Sequence, residues 1–202
     1  METLCKNIVC FLALCCAVPA WAGSIAEYSA NLVDVQNGHV MQKIAVMPDK
    51  MYSESFNAQG TREGMALVRL DQHKMYIFNE ANKSYMEFPF NKNKFTPADL
   101  AMGMVDIKQE KVGTETVNGY TATKYRITTK VMNKTITAFQ WIAPEFDPMP
   151  IRTESEGVIH EMRDIKTGRP DASLFEVPKG YTHDKTMEDM MKGMMKGRTG
   201  KK

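Results

Sequence analysis

The stretch Thr121–Val131, "TATKYRITTKV", decides how this chain is to be read. Thr123, Tyr125, Ile127, Thr129 and Val131 fall at every second position, with Lys124, Arg126, Thr128 and Lys130 between them. Successive side chains of a β-strand point to opposite faces, so this alternation predicts a strand with one side on a core and the other in water.

Outward from that strand, short β-rich runs are separated by turn chemistry at nearly even intervals. The turns fall at Asn37-Gly38, Pro48-Asp49, Gln59-Gly60, Asp71-Gln72, Ala81-Asn82, Asn118-Gly119, Asn133-Lys134, Asp147-Pro148, Glu156-Gly157 and Thr167-Gly168. Asn-Gly pairs favour the positive φ angles of type I′ hairpin turns, which makes the flanking runs adjacent antiparallel strands. About ten strands in series describe a mainly β fold, an antiparallel meander that is closed or strongly curved.

One segment departs from the pattern. In "FTPADLAMGMVDI" Thr96 is placed as an N-cap, Pro97 stands at the first helical position and Asp99 follows three residues after the cap. Leu100, Ala101, Met104 and Val105 make an apolar stripe that Gly103 weakens, so a short helix of two or three turns is expected, laid across the sheet.

The N-terminus reads "METLCKNIVCFLALCCAVPAWAGS". A charge-free apolar run from Ile8 to Val18 is short for a bilayer span, and Ala20-Trp21-Ala22 gives a signal-peptidase pattern. Residues 1–22 are therefore read as a cleaved signal peptide. A lipid-modified cysteine fits less well, because Leu14 or Cys15 stands where a small residue is needed. Cutting after Ala22 removes all four cysteines, Cys5, Cys10, Cys15 and Cys16, so the mature chain has no disulfide, no thiolate metal site and no cysteine nucleophile. The signal holds one lysine and one glutamate, so the net charge stays at +2, which is no nucleic-acid signature. A short signal and a disulfide-free body point to a periplasmic or secreted protein, with one domain over residues 23–182 and a tail over 183–202.

Catalytic motifs are missing from the mature sequence: there is no G-x-S-x-G elbow, H-E-x-x-H, P-loop or Rossmann glycine pattern. His39, His73, His160 and His183 are scattered, and in "HEMRD" the strand period sends His160 and Glu161 to opposite faces. The reading is a non-enzymatic protein. Apolar residues suggest another kind of site. "KSYMEFPFNKNKF" concentrates Tyr85, Met86, Phe88, Phe90 and Phe95, with Met86, Phe88 and Phe90 on one strand face; "TITAFQWIAPEF" puts Phe139 and Trp141 on one face. Core packing explains each singly. Taken together, a curved sheet with a short helix over its mouth encloses an apolar cavity lined by Met86, Phe88, Phe90, Leu100, Met104, Phe139 and Trp141. Arg69 alternates with Met65 and Leu67, and facing inward it needs a carboxylate partner or a ligand headgroup.

Three stretches carry a family resemblance. "LVRLDQHKMYIFNEANKSYMEFPF", through Arg69, Asp71, Tyr76, Tyr85 and Glu87, resembles a stretch of secreted bacterial domains of unknown function. "ETVNGYTATKYRI", through Asn118, Gly119, Thr123, Lys124 and Tyr125, and "DASLFEVPKGY", through Leu174, Phe175, Pro178 and Gly180, resemble their later landmarks. Those domains are similar to the periplasmic carriers of outer-membrane lipoproteins. The resemblance implies an unclosed half-barrel, with a helix over its concave face, and lipid or acyl-chain carriage by analogy of fold. Locally, "VRLD" and "KMYIFNE" read as a hairpin turning at Asp71–Lys74, and "LFEVPKGY" as a final short strand.

The C-terminal "HDKTMEDMMKGMMKGRTGKK" spaces Met187, Met190, Met191, Met194 and Met195 along one helical face, yet Gly193 and Gly197 interrupt it. With Lys192, Lys196, Arg198, Lys201 and Lys202 beside it, the stripe suits an anionic membrane surface or an adaptable apolar contact. Thioethers also bind Cu(I), with His183 as a nitrogen donor. The sequence thus describes an exported protein that binds a hydrophobic or amphipathic ligand without a cofactor. The alternatives are Cu(I) handling through His183 and the tail methionines, or a structural domain that contacts an envelope protein or membrane surface.

Overall fold

The computed structural model describes residues 27–90, 107–131, 134–146, 149–186 and 188–190. Twelve strands form the sheet: β1 (Tyr28–Asp34), β2 (Val40–Met47), β3 (Lys50–Phe56), β4 (Arg62–Arg69), β5 (Lys74–Asn79), β6 (Ser84–Pro89), β7 (Ile107–Val117), β8 (Tyr120–Val131), β9 (Lys134–Ile142), β10 (Arg152–Ser155), β11 (Val158–Thr167) and β12 (Thr182–His183). Their order is β12-β6-β5-β4-β3-β2-β1-β11-β10-β9-β8-β7, with β12 and β7 at the two ends, so the sheet is unclosed. The expected mainly β antiparallel meander is what forms. The helix expected over residues 96–107 lies outside the described residues except for Ile107, which opens β7. The described chain packs as two compact units: a first of residues 27–32, 39–90, 164–186 and 188–190, and a second of 33–38 and the described residues from 107 to 163.

In the second unit the founding strand, β8, pairs with β7 and β9. Asn118 (φ 51°) and Gly119 (φ 85°) both adopt positive φ in the β7–β8 turn, as a type I′ hairpin requires. Glu156 and Gly157 repeat this between β10 and β11. The alternation holds in part: Ile127 is buried and Arg126 exposed, but Ala122 on the face of Arg126 is also buried, and Thr123 and Tyr125 are half-buried. His160 and Glu161 fall on successive positions of β11, hence on opposite faces.

In the first unit β2 to β6 form an unbroken antiparallel run. The hairpin between β4 and β5 turns through a 3₁₀ turn at Leu70–Gln72, closed by His73 in the left-handed conformation. The reading of "LFEVPKGY" as a strand is corrected here: Ala172–Phe175 is a 3₁₀ turn, and the last strand is β12, parallel to β6. Asp171 caps that turn by accepting from the Ser173 N–H at 2.9 Å. The turn places Phe175, 1 % exposed, in the apolar cluster on the sheet's face.

Candidate ligand-binding site

The registers of β2 to β6 sort the first unit's side chains onto two faces. One face carries the rows Met47–Lys50–Arg69–Lys74–Pro89, Ala45–Tyr52–Leu67–Tyr76–Glu87 and Lys43–Glu54–Met65–Phe78–Tyr85. Its apolar members, Ala45, Met47, Tyr52, Met65, Leu67, Tyr76 and Phe78, form a buried cluster with Phe175, against which Leu174, Val177 and Tyr181 pack. Tyr181 meets the Phe78 ring edge-on at 5.3 Å and donates its hydroxyl hydrogen bond to Glu80 at 2.8 Å. This face is sealed by the chain's own residues 172–181.

Arg69 fixes the seal. It is 7 % exposed and grips Asp71 with both Nε (2.8 Å) and Nη2 (2.7 Å). Its Nη1 donates to the Phe175 carbonyl at 2.9 Å and to Glu176 at 3.1 Å. The Arg69 hydrogen bonds, aided by Lys50, hold the Asp71 carboxyl below its ordinary range against some burial. Of the two partners the sequence offered this arginine, the structure supplies carboxylates.

The opposite face carries the rows Val46–Met51–Val68–Met75–Phe88, Ile44–Ser53–Ala66–Ile77–Met86 and Gln42–Ser55–Gly64–Asn79–Ser84. None of these residues is charged. Val46, Val68, Met75, Phe88, Ile44, Ala66, Ser53 and Gln42 are buried, and Met51, Ile77 and Met86 are partly so. The chemistry grades along the strands from apolar to polar. Met86 and Phe88, predicted from the sequence, stand here. Phe90 follows β6, is buried, and donates its N–H to the His73 carbonyl at 2.8 Å. Leu100 and Met104 lie outside the described residues.

Phe139 and Trp141 belong to the second unit and share one face, as expected, but that face is cationic. Lys124 Nζ lies 5.1 Å from the Phe139 ring centre and 4.5 Å from that of Trp141; Arg126 covers Phe139 and Arg152 covers Trp141. The Trp141 indole N–H donates to Glu115 at 2.7 Å. Beside them, buried Glu161 pairs with Arg152 and Arg163. Burial pushes the Glu161 carboxyl up, but the two guanidinium groups outweigh it and hold it below its usual range. The rings are thus packed beneath charged side chains in a cation–π arrangement.

His183 does not stand free. Its Nε2 lies 2.6 Å from Glu188 Oε2, and its ring stacks on Tyr85 with centroids 5.0 Å apart. The same Glu188 oxygen accepts the Glu87 N–H of β6 at 2.8 Å. Met190 is 53 % exposed, and Met187, Met191, Met194 and Met195 lie outside the described residues. Among the described residues no group of three or more His, Cys, Asp or Glu could hold a metal ion. Sequence reasoning missed Ser53, Gln42 and Glu188. For Ser53 the signal was present: it follows Tyr52 in a strand whose alternate positions, Met51 and Ser55, share its face.

The sequence profile described as "Domain of unknown function (DUF4412)" matches residues 32–149, and the chain belongs to that family. No curated protein matches it. Among solved structures it is similar to an uncharacterized conserved protein from Thermus thermophilus, at 10% identity and a TM-score of 0.47, covering 91% of this chain and 97% of that one. It is similar too to lipoprotein LppX of Mycobacterium tuberculosis, at 11% identity and a TM-score of 0.36, covering 74% and 89% of the two chains. A third is the Pseudomonas aeruginosa MucA/MucB complex, at 14% identity and a TM-score of 0.35, covering 85% and 60%.

Proposed function

For this member of the DUF4412 family we propose an exported, non-enzymatic role: it holds an apolar or amphipathic molecule, an acyl chain, against the charge-free face of the first unit. The supporting observation is the contrast between the two faces of the same five strands. One face interleaves lysine, arginine and glutamate with its apolar residues and is sealed by residues 172–181. The other has no charge in three consecutive rows. A sheet face meant for water carries polar and charged residues, so this one, with Val46, Val68, Met75 and Phe88 buried, is built to be covered by apolar matter. Met51, Met75 and Met86 supply side chains that adapt to an irregular partner. Each methylene taken from water gains about 0.8 kcal/mol. About fifteen of them gain about 12 kcal/mol, which leaves micromolar affinity after about 4 kcal/mol of lost ligand freedom. The signal sequence supports export, and the lack of catalytic motifs in the sequence supports a binding role.

Fluorescence titration with the apolar probe N-phenylnaphthylamine tests this. The mature chain should bind it, and Met86→Glu, which puts a carboxylate on the face, should weaken binding about tenfold or more, equivalent to about 1.4 kcal/mol. Lys179→Glu, at an exposed loop position, should leave binding unchanged, and melting curves check that both variants fold. No binding by the parent chain, or equal binding by Met86→Glu, would sink the proposal.

A further inference from the structure

Resting on the acyl-chain reading above, we propose that Ser53 recognises the uncharged polar end of the ligand, and that the site selects acyl esters over ionised fatty acids. Ser53 and Ser55 on β3 face Ala66 and Gly64 on β4, giving a trough of four small residues in the middle of the charge-free face. Ile44, Ile77 and Met86 extend the row of Ser53 on both sides as taller walls. The trough is tight where the glycine stands: a Cβ at Gly64 would come within 3.2 Å of Ser55 Oγ. Ser55 has its own bond, donating to the Gly64 carbonyl at 3.4 Å.

Ser53 differs from its neighbour. It is 3 % exposed, and its Oγ meets no hydrogen-bond partner among the described residues. A buried hydroxyl without a partner is unfavourable, and alanine would fill the same place at no such cost. Serine there makes sense if something that enters the trough completes the bond. A hydroxyl offers one donor, which suits a carbonyl oxygen.

Charge sets the class of that carbonyl. None of the three rows holds a lysine, arginine or histidine. Within these rows an ionised carboxylate would find no counter-charge, whereas an ester carbonyl needs none. The rows also give the ligand a direction. Rows two residues apart lie about 7 Å apart along the strands. From Ser53 the apolar row of Met51, Val68, Met75 and Phe88 takes the chain, and the polar row of Gln42, Ser55 and Ser84 takes the remainder of the polar end.

Displacement of N-phenylnaphthylamine from the full chain by methyl laurate and by the laurate ion tests the assignment. The parent should bind the ester about fivefold or more tighter than the ion. Ser53→Ala should lose about fivefold in ester affinity, the worth of one neutral hydrogen bond. It should leave affinity for the naphthylamine, which carries no carbonyl, unchanged, and should melt no lower than the parent. Ala66→Val, which narrows the trough and spares the hydroxyl, should also weaken the ester more than the naphthylamine. If Ser53→Ala binds the ester as the parent does, or the parent prefers the ion, the Ser53 assignment is overturned while naphthylamine binding leaves the acyl-chain reading standing. If the parent binds neither the naphthylamine nor the ester, both fall.

Discussion

Replacing Phe175 by alanine should lower the free energy of unfolding by about 3–5 kcal/mol, the range for deleting a fully buried ring. Phe175 is 1 % exposed and lies among Ala45, Met47, Tyr52, Met65, Leu67, Tyr76 and Phe78. It comes from a 3₁₀ turn of only four residues, Ala172–Phe175, held locally by the Asp171 cap and by the Leu174 N–H to the Asp171 carbonyl. Such a turn has little stability of its own, so the ring, with the Arg69 bonds and the packing of Tyr181, holds residues 171–181 on the sheet. Urea unfolding gives the energy, and hydrogen exchange should show the Leu174 and Glu176 amides losing protection before those of β4. A loss below about 1 kcal/mol, within the range of ordinary surface substitutions and a little beyond, would mean that the segment is held by something else.

Arg69→Ala should cost about 2 kcal/mol, because it removes a buried side chain that clamps Asp71 and leaves the Phe175 carbonyl without its donor. Lysine should restore little, since one ammonium cannot reproduce a guanidinium that bonds Asp71 through two nitrogens and Phe175 through a third. The acid limb gives a second readout. Asp71 is held below its ordinary value, first by the Arg69 hydrogen bond. A depressed folded value contributes stability that is complete above the ordinary aspartate range, near pH 4, and is lost as pH falls through the lowered value. Arg69→Ala should remove that contribution, so its stability should fall less steeply on acidification. Parallel pH profiles for parent and variant would contradict the clamp.

These two residues show what the sequence could and could not say. The strands were legible because period-two alternation and Asn-Gly turns are local signals: the positive φ of Asn118 and Gly119 follows from those two residues alone. Twelve strands form where about ten were expected because β10 has four residues and β12 two, too short to show a period. "LFEVPKGY" looked like a strand by its Phe and Val, yet it has no ladder to join and serves as a plug. The site was half legible. Met86 and Phe88 share a face by spacing alone. The cationic cover over Phe139 and Trp141 depends on register, which brings Arg126 opposite Phe139 and both Lys124 and Arg152 opposite Trp141. No local pattern fixes that pairing. Arg69 bonds Asp71 two residues away, within reach of local reading, but its other partners Phe175 and Glu176 lie more than a hundred residues along the chain.

The charge-free face of β2 to β6 as the seat of an acyl chain is open to one direct measurement. The purified protein is irradiated with a lauroyl ester bearing a terminal diazirine, digested, and the labelled residues are mapped by mass spectrometry. Label should concentrate on Met51, Met75, Met86 and Phe88, and unlabelled ester should compete it away. Label spread equally over Tyr76, Phe78 and Tyr85 on the opposite face, or confined to residues 107–163, would contradict the account.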